Sequence, residues 1–182
     1  MLPGTEAHRL FELGFDRKST IGATTDVFFS RNGSEVAKVS SMRANLEYAR
    51  FCRENPGANF PRISDIHEVR DRHGFPDGRT TVVCERLDEV PPTETEALGE
   101  WLARLGSALQ GAEPVAQVPD YKNLKAAVET LWNEAILRGL SWDLGGPNSD
   151  SKAKNVMVRP GTGDYVVIDP WISDDPQHSA YA

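Results

Sequence analysis

Cysteine is nearly absent from this chain: only Cys52 and Cys84 occur in 182 residues. Neither belongs to a C-x-x-C spacing or lies near a histidine pair. A zinc finger and a disulfide framework are therefore not expected, and both thiols read as reduced groups of a cytoplasmic protein. Histidine is scarce as well, and His8, His67, His73 and His178 show no metal-ligand spacing. No apolar run reaches the roughly 18–20 residues that a bilayer span requires, so no membrane contact is expected. The opening Met-Leu-Pro-Gly-Thr-Glu-Ala-His-Arg lacks the cationic start and apolar stretch of an export signal, and secretion is not expected. Basic residues are outnumbered, 20 Lys and Arg against 27 Asp and Glu, a net charge of −7 with no basic cluster. Following a phosphate backbone needs clustered Lys and Arg, so a nucleic-acid partner is not expected either. The G-x-S-x-G and G-x-G-x-x-G patterns are also missing, which sets aside two large enzyme classes.

What is present suits one domain, or a small pair of lobes sharing a cleft, with 39% hydrophobic residues to build a core. Asp26-Val27-Phe28-Phe29-Ser30 and Glu35-Val36-Ala37-Lys38-Val39 flank Asn32-Gly33, the strongest short hairpin signal, which sets Lys38 opposite Val27. Ser41 to Glu54 reads as a helix closed by Asn55-Pro56-Gly57. Strands are expected around Phe60–Ile63, Ile66–Val69 and Thr80–Cys84. Composition changes across residues 85–92. Beyond them, Thr93 to Gln110 reads as a helix opened by a Thr93/Glu96 capping box, and a second helix is expected from Tyr121 to Arg138.

The chemistry is concentrated after that second helix. A hairpin is expected from Asn155–Arg159 and Tyr165–Asp169, and a turn centred on Thr162 sets Asn155 opposite Asp169. A carboxylate and an amide oxygen about 5 Å apart at Cβ form a plausible seat for Mg²⁺, which takes few protein ligands. Asn and Asp also serve simply as strand-end turn residues. Before the hairpin stand Asp143, directly after Gly139-Leu140-Ser141-Trp142, and Asp150, within a polar loop.

An early strand lysine, a loop acid, an Asn, and an Asp after a short apolar strand, in that order, resemble the protein-kinase-like superfamily. More narrowly, the chain is similar to the small kinases encoded by short-tailed phages. Val36-Ala37-Lys38 resembles the family's V-A-x-K strand, one residue shorter, and Thr81 to Leu87 resembles the strand entering the hinge. Gly139 to Leu144 resembles the H-R-D-L entry, Asn155-Val156-Met157 the metal-binding Asn, and Ile168-Asp169-Pro170-Trp171 the D-F-G position. The resemblance implies an α+β, two-lobe kinase-like fold. Residues 1–88 would form a strand-rich N-lobe with one helix, and residues 89–182 a minimal helical C-lobe with a β-hairpin. It implies ATP and Mg²⁺ as cofactors. Lys38 would pair with the α/β-phosphates, held by Glu47; Gly22 would lie in the loop covering the phosphates; Asn155 and Asp169 would bind the metal. Two residues compete as catalytic base. Asp143 follows the motif entry, while Asp150 has the family's distance to the Asn (155 − 150 = 5). Placement at a strand end favours Asp143 slightly.

The function implied is transfer of the ATP γ-phosphate to a protein or small-molecule hydroxyl. An alternative rests on departures from the family pattern. Gly22 stands alone where the family has three glycines, and Asp26 adds negative charge near the phosphates. Ser141 and Trp142 replace His and Arg, and Trp171 replaces the D-F-G glycine. Few residues follow Trp171 (182 − 171 = 11), so a protein-substrate platform is not expected. This alternative is a catalytically inactive, pseudokinase-type phage protein that binds and inhibits a host protein. The setting expected is the cytoplasm, that of the host if the chain is phage-encoded; a host protein is one candidate substrate or target, and a partner or a second copy would cover apolar surface left bare.

Overall fold

The computed structural model describes residues 5–19, 25–144 and 155–172; Gly22 and Asp150 lie outside the described residues. The chain falls into two compact units. Among the described residues, the first holds the chain up to Glu54 together with Arg62–Arg86, and the second holds Asn55–Pro61 together with the chain from Leu87 to Ile172.

The first unit is built on a five-stranded antiparallel sheet of β1 (Phe15–Ser19), β2 (Thr25–Ser30), β3 (Glu35–Ser40), β4 (Ile63–Arg70) and β5 (Pro76–Glu85), in the order β1-β2-β3-β5-β4. The Asn32-Gly33 turn joins β2 to β3 in the expected register, Val27 opposite Lys38. Gly33 supplies the left-handed residue (φ 73°), and Asn32 Oδ1 accepts from the Ser34 N–H at 3.0 Å. On its other side Lys38 faces Val82 of β5, which puts the lysine on the central strand. Side chains alternate along a strand. Ala37 and Val39 enter the core with Leu10, Phe15, Phe28, Val69 and Val83, so Lys38 projects from the opposite face. Ser40 shares that face, and its hydroxyl accepts from Asn45 of α2 (Arg43–Glu54) at 3.0 Å. The helix lies over the lysine's side of the sheet.

A short helix, α1 (Glu6–Glu12), precedes the sheet and was not expected from the sequence. Leu10 anchors it in the core, and Glu6, only 7% exposed, accepts from Thr81 Oγ1 at 2.7 Å and from Arg9 at 3.1 Å and pairs with His67 at 3.0 Å. Burial alone raises a carboxyl pKa, but hydrogen bonds from Arg9, His67 and Thr81 outweigh it and hold Glu6 below the ordinary glutamate value. Because the folded value is the lower one, this stabilisation is present above the unfolded pKa and lost as pH falls through the folded one. Glu6→Gln is expected to cost about 1–2 kcal/mol at neutral pH and to flatten the acid limb of stability. Urea unfolding at neutral pH and near pH 3.5 measures both, and an unchanged acid limb contradicts the assignment.

The second unit carries α3 (Pro92–Leu109), a 3-10 turn (Val115–Gln117), α4 (Lys125–Arg138) and five short strands. The capping box does not form. Pro92 opens α3 with its preset φ, which draws Thr93 into the first turn, and no side chain caps the helix. α4 starts at Lys125 rather than Tyr121, because Lys122 (φ 52°) and Asn123 (φ 61°) are left-handed and cannot continue a helix. It stops at Gly139 (φ 61°), where the Leu140 N–H returns to the Ala135 carbonyl at 2.9 Å. Leu98, Leu102 and Leu105 of α3, with Leu124, Val128 and Leu131 at and within α4, are at most 1% exposed.

β6 (Asp88–Glu89), β8 (Val156–Val158) and β9 (Tyr165–Val167) form a three-stranded sheet, while β7 (Ser141–Trp142) pairs with β10 (Trp171–Ile172). In the β8–β9 hairpin Val156 faces Val167 and Val158 faces Tyr165, so Asn155 lies opposite Ile168 and not Asp169. The reason is the loop. Four residues, Pro160 to Gly163, close it between bonds from the Arg159 N–H to the Asp164 carbonyl (2.8 Å) and the Gly163 N–H to the Arg159 carbonyl (3.0 Å). Left-handed Gly161 (φ 83°) and Gly163 (φ 73°) permit that even-numbered turn. Among the described residues no helix is long and apolar enough to cross a membrane. The α+β class expected from the sequence is the one observed.

Candidate functional site

Three sequence-predicted residues meet at the open end of the hairpin. Where α4 terminates at Gly139, the chain turns into β7, and β7 delivers Asp143 beside the strand that follows Asp169. The Asp143 N–H donates to the Pro170 carbonyl at 2.9 Å, locking the two stretches together. Asn155 sits between them. Its Nδ2 donates to the Asp169 carbonyl at 3.2 Å and to the Asp143 carbonyl at 3.4 Å, while its own carbonyl accepts from the Ile168 N–H at 2.7 Å. The expected pairing of Asn155 with Asp169 across the hairpin is thus replaced by a side-chain clasp on the Asp169 main chain. Asp169 itself is left-handed (φ 45°), a conformation Asp tolerates better than most residues.

The clasp has chemical consequences. With its NH₂ turned toward two carbonyls, the Asn155 amide directs Oδ1 the other way, and an oxygen is the end a hard cation takes. Burial pushes the Asp143 carboxyl above the ordinary aspartate range, against a hydrogen bond from Asn155 that lowers it. Among the described residues no three His, Cys, Asp or Glu side chains gather as a metal cage. Mg²⁺ suits such a place, since it binds through one or two protein oxygens and completes its shell with water and phosphate. Asn155 Oδ1 and the Asp169 carboxylate are a donor set of that kind.

In the first unit, Lys38 is half-buried on β3, and Glu47 lies in α2, 20% exposed, with Arg50 at 3.3 Å from its carboxylate. Gly22 and Asp150 lie outside the described residues.

Two further residues support the hairpin and give no signal in the sequence. Arg159, 4% exposed, donates to the carbonyls of Ala58 (2.6 Å) and Phe60 (2.9 Å) and to Asp164 Oδ2 (3.2 Å). Asn59 Nδ2 donates to the Tyr165 carbonyl at 2.8 Å, and the Asn59 carbonyl accepts from the Val167 N–H at 3.0 Å. An arginine between a strand and a Pro-Gly turn ordinarily reads as exposed, and its acceptors lie about a hundred residues away. Tyr165 is tied down on its other end, where its hydroxyl donates to Glu94, which also holds Lys122 at 2.9 Å.

The sequence matches no protein-family model and no curated protein. Solved structures do share its shape in part. A thermostable mutant of the aminoglycoside phosphotransferase APH(4)-Ia, in ternary complex with AMP-PNP and hygromycin B, is 17% identical over 90% of this chain and 70% of its own, with a TM-score of 0.45. The bifunctional kinase-methyltransferase WbdD is 19% identical over 89% of this chain and 35% of its own, with a TM-score of 0.41. An aminoglycoside-3'-phosphotransferase of type VIII is 17% identical over 90% of this chain and 75% of its own, with a TM-score of 0.39.

Proposed function

We propose that this chain is a kinase-like phosphotransferase, moving the γ-phosphoryl group of ATP to a hydroxyl of a protein or small molecule. The observation that carries the reading is the Asn155 clasp. Through it the main chains of two half-buried acids, Asp169 and Asp143, are held together by one side chain. The acceptor oxygen attacks the γ-phosphorus, the bond to the β,γ-bridging oxygen breaks, and ADP departs with that electron pair. The acceptor proton passes to Asp143, whose raised pKa suits a group that must hold a proton, or to Asp150 in the loop. Asn155 Oδ1 and Asp169 would hold Mg²⁺, which would supply neutralisation of phosphate charge. Lys38 pairs with the α/β-phosphates, Glu47 orients it, and the main chain at Gly22 covers them. Residues 1–88 serve as the N-lobe and residues 89–182 as the truncated C-lobe, with ATP and Mg²⁺ bound between them. Such chemistry asks for positioning and charge more than for covalent participation.

A second reading, a pseudokinase-type phage protein that binds a host protein, is favoured by the use made of the departing positions. Trp142 and Trp171 face each other across β7 and β10, and the buried Trp171 indole donates to the Leu131 carbonyl at 3.1 Å. These residues serve packing. Thermal denaturation with ATP separates the readings. Under the first, nucleotide at about 100 times its Kd with Mg²⁺ stabilises by about 2.7 kcal/mol, a rise of roughly 5–10 °C in Tm, and Lys38→Met or removal of Mg²⁺ abolishes it. No shift up to millimolar ATP with Mg²⁺, alongside capture of a host protein, favours the second.

A further inference from the structure

We infer that Asn59, far from Asp169 in sequence, is the positioning residue for the Asp169 carboxylate; its use in metal binding rests on the phosphotransferase reading above. β9 is three residues long and forms an edge of its sheet. Arg159 and Asp164 form a hydrogen-bonded pair at the loop, and Ile168 bonds to Asn155 at the other end. In an antiparallel ladder hydrogen-bonded and non-hydrogen-bonded pairs alternate, so the main-chain groups of Tyr165 and Val167 point away from β8. Those outward groups are the ones Asn59 takes. Its amide donates to the Tyr165 carbonyl, and its carbonyl accepts from the Val167 N–H.

One residue therefore does the work of an added strand, with a side-chain N–H standing in for a main-chain donor. Its neighbours are held in turn, since the Ala58 and Phe60 carbonyls both accept from the buried Arg159 guanidinium. The chain leading to Asp169 is consequently gripped on both edges, on the outside by Asn59, its side chain at Tyr165 and its main chain at Val167, and on the inside by Asn155 at Ile168. With both grips in place the left-handed backbone from which the Asp169 carboxylate projects is held in one position. With the side-chain half of the outer grip lost, β9 is held on that edge at Val167 alone, and Asp169 inherits the added motion.

Asn59→Ala in the full chain is the test. Amide exchange at Val167 and Ile168 is expected to speed up about five- to tenfold, the effect of one lost hydrogen bond. The Mg²⁺ concentration giving half of the ATP-dependent stabilisation is expected to rise about tenfold, the usual scale for losing a group that orients a metal ligand. The apparent ATP affinity at saturating Mg²⁺ stays unchanged. Asn59→Ser repeats the measurement should the alanine variant fail to fold. A lower Tm with Ile168 exchange and the Mg²⁺ midpoint both unmoved would show a merely structural asparagine and overturn the inference. Should the unmutated chain show no Mg²⁺-dependent nucleotide effect, the phosphotransferase reading fails, and Ile168 exchange alone then decides whether Asn59 positions this turn.

Discussion

Asp169→Asn is expected to lower ATP-dependent phosphoryl transfer by at least about 10²–10³-fold in kcat while leaving the fold intact, because it removes a charge and almost nothing else. Asparagine has nearly the same shape and accepts left-handed backbone as readily as aspartate, so the φ of 45° carries no new strain. The clasp uses the Asp169 carbonyl and is untouched by the exchange. A Tm within roughly 2 °C of the parent is therefore expected. Under the proposed function what is lost is an anionic oxygen ligand, and Mg²⁺-dependent stabilisation by ATP should disappear with it. A variant that keeps both turnover and the Mg²⁺ effect shows that the cation is seated elsewhere.

The second large effect concerns stability. Arg159→Met keeps most of the side-chain volume and removes a buried guanidinium that satisfies two main-chain carbonyls and one carboxylate at the edge of the second unit. Loss of the Phe60 bond costs about 1–3 kcal/mol, loss of the bond to the exposed Ala58 costs about 1 kcal/mol, and loss of the partly exposed Asp164 pairing adds little. A destabilisation of about 2–4 kcal/mol is expected, roughly 4–16 °C in Tm for a chain of this size. Calorimetry measures it directly. A change below about 1 kcal/mol would mean that water replaces the guanidinium at both carbonyls.

The contrast between the two hairpins shows what a sequence can convey. Asn32-Gly33 encodes its turn locally, and the placement of Lys38 opposite Val27 could be read from it. Pro160-Gly161-Thr162-Gly163 offers two glycines, and which of them closes the loop is decided by geometry that side-chain identity does not announce. The resulting shift of one residue replaced a cross-strand pair, Asn155 with Asp169, by a clasp on main-chain carbonyls. Asp143, Asn155 and Asp169 were legible as candidates because their order along the chain is distinctive. Asn59 and Arg159 were not, because their meaning lies in hydrogen bonds spanning about a hundred residues. The Thr93/Glu96 box failed for a different reason, since Pro92 is the stronger helix starter.

The allegiance of Asn55–Pro61 to the second unit also bears on how the chain can be divided. The polypeptide passes from one unit to the other after Glu54, returns after Pro61 and leaves again after Arg86, so no single cut separates them. A fragment ending at Arg86 would carry Ala58, Asn59 and Phe60 with their carbonyls unmatched. The complementary fragment would hold a buried arginine with two of its acceptors missing. Folding must close a loop of about a hundred residues before either set of groups is satisfied, which predicts slow, all-or-none assembly of the intact chain.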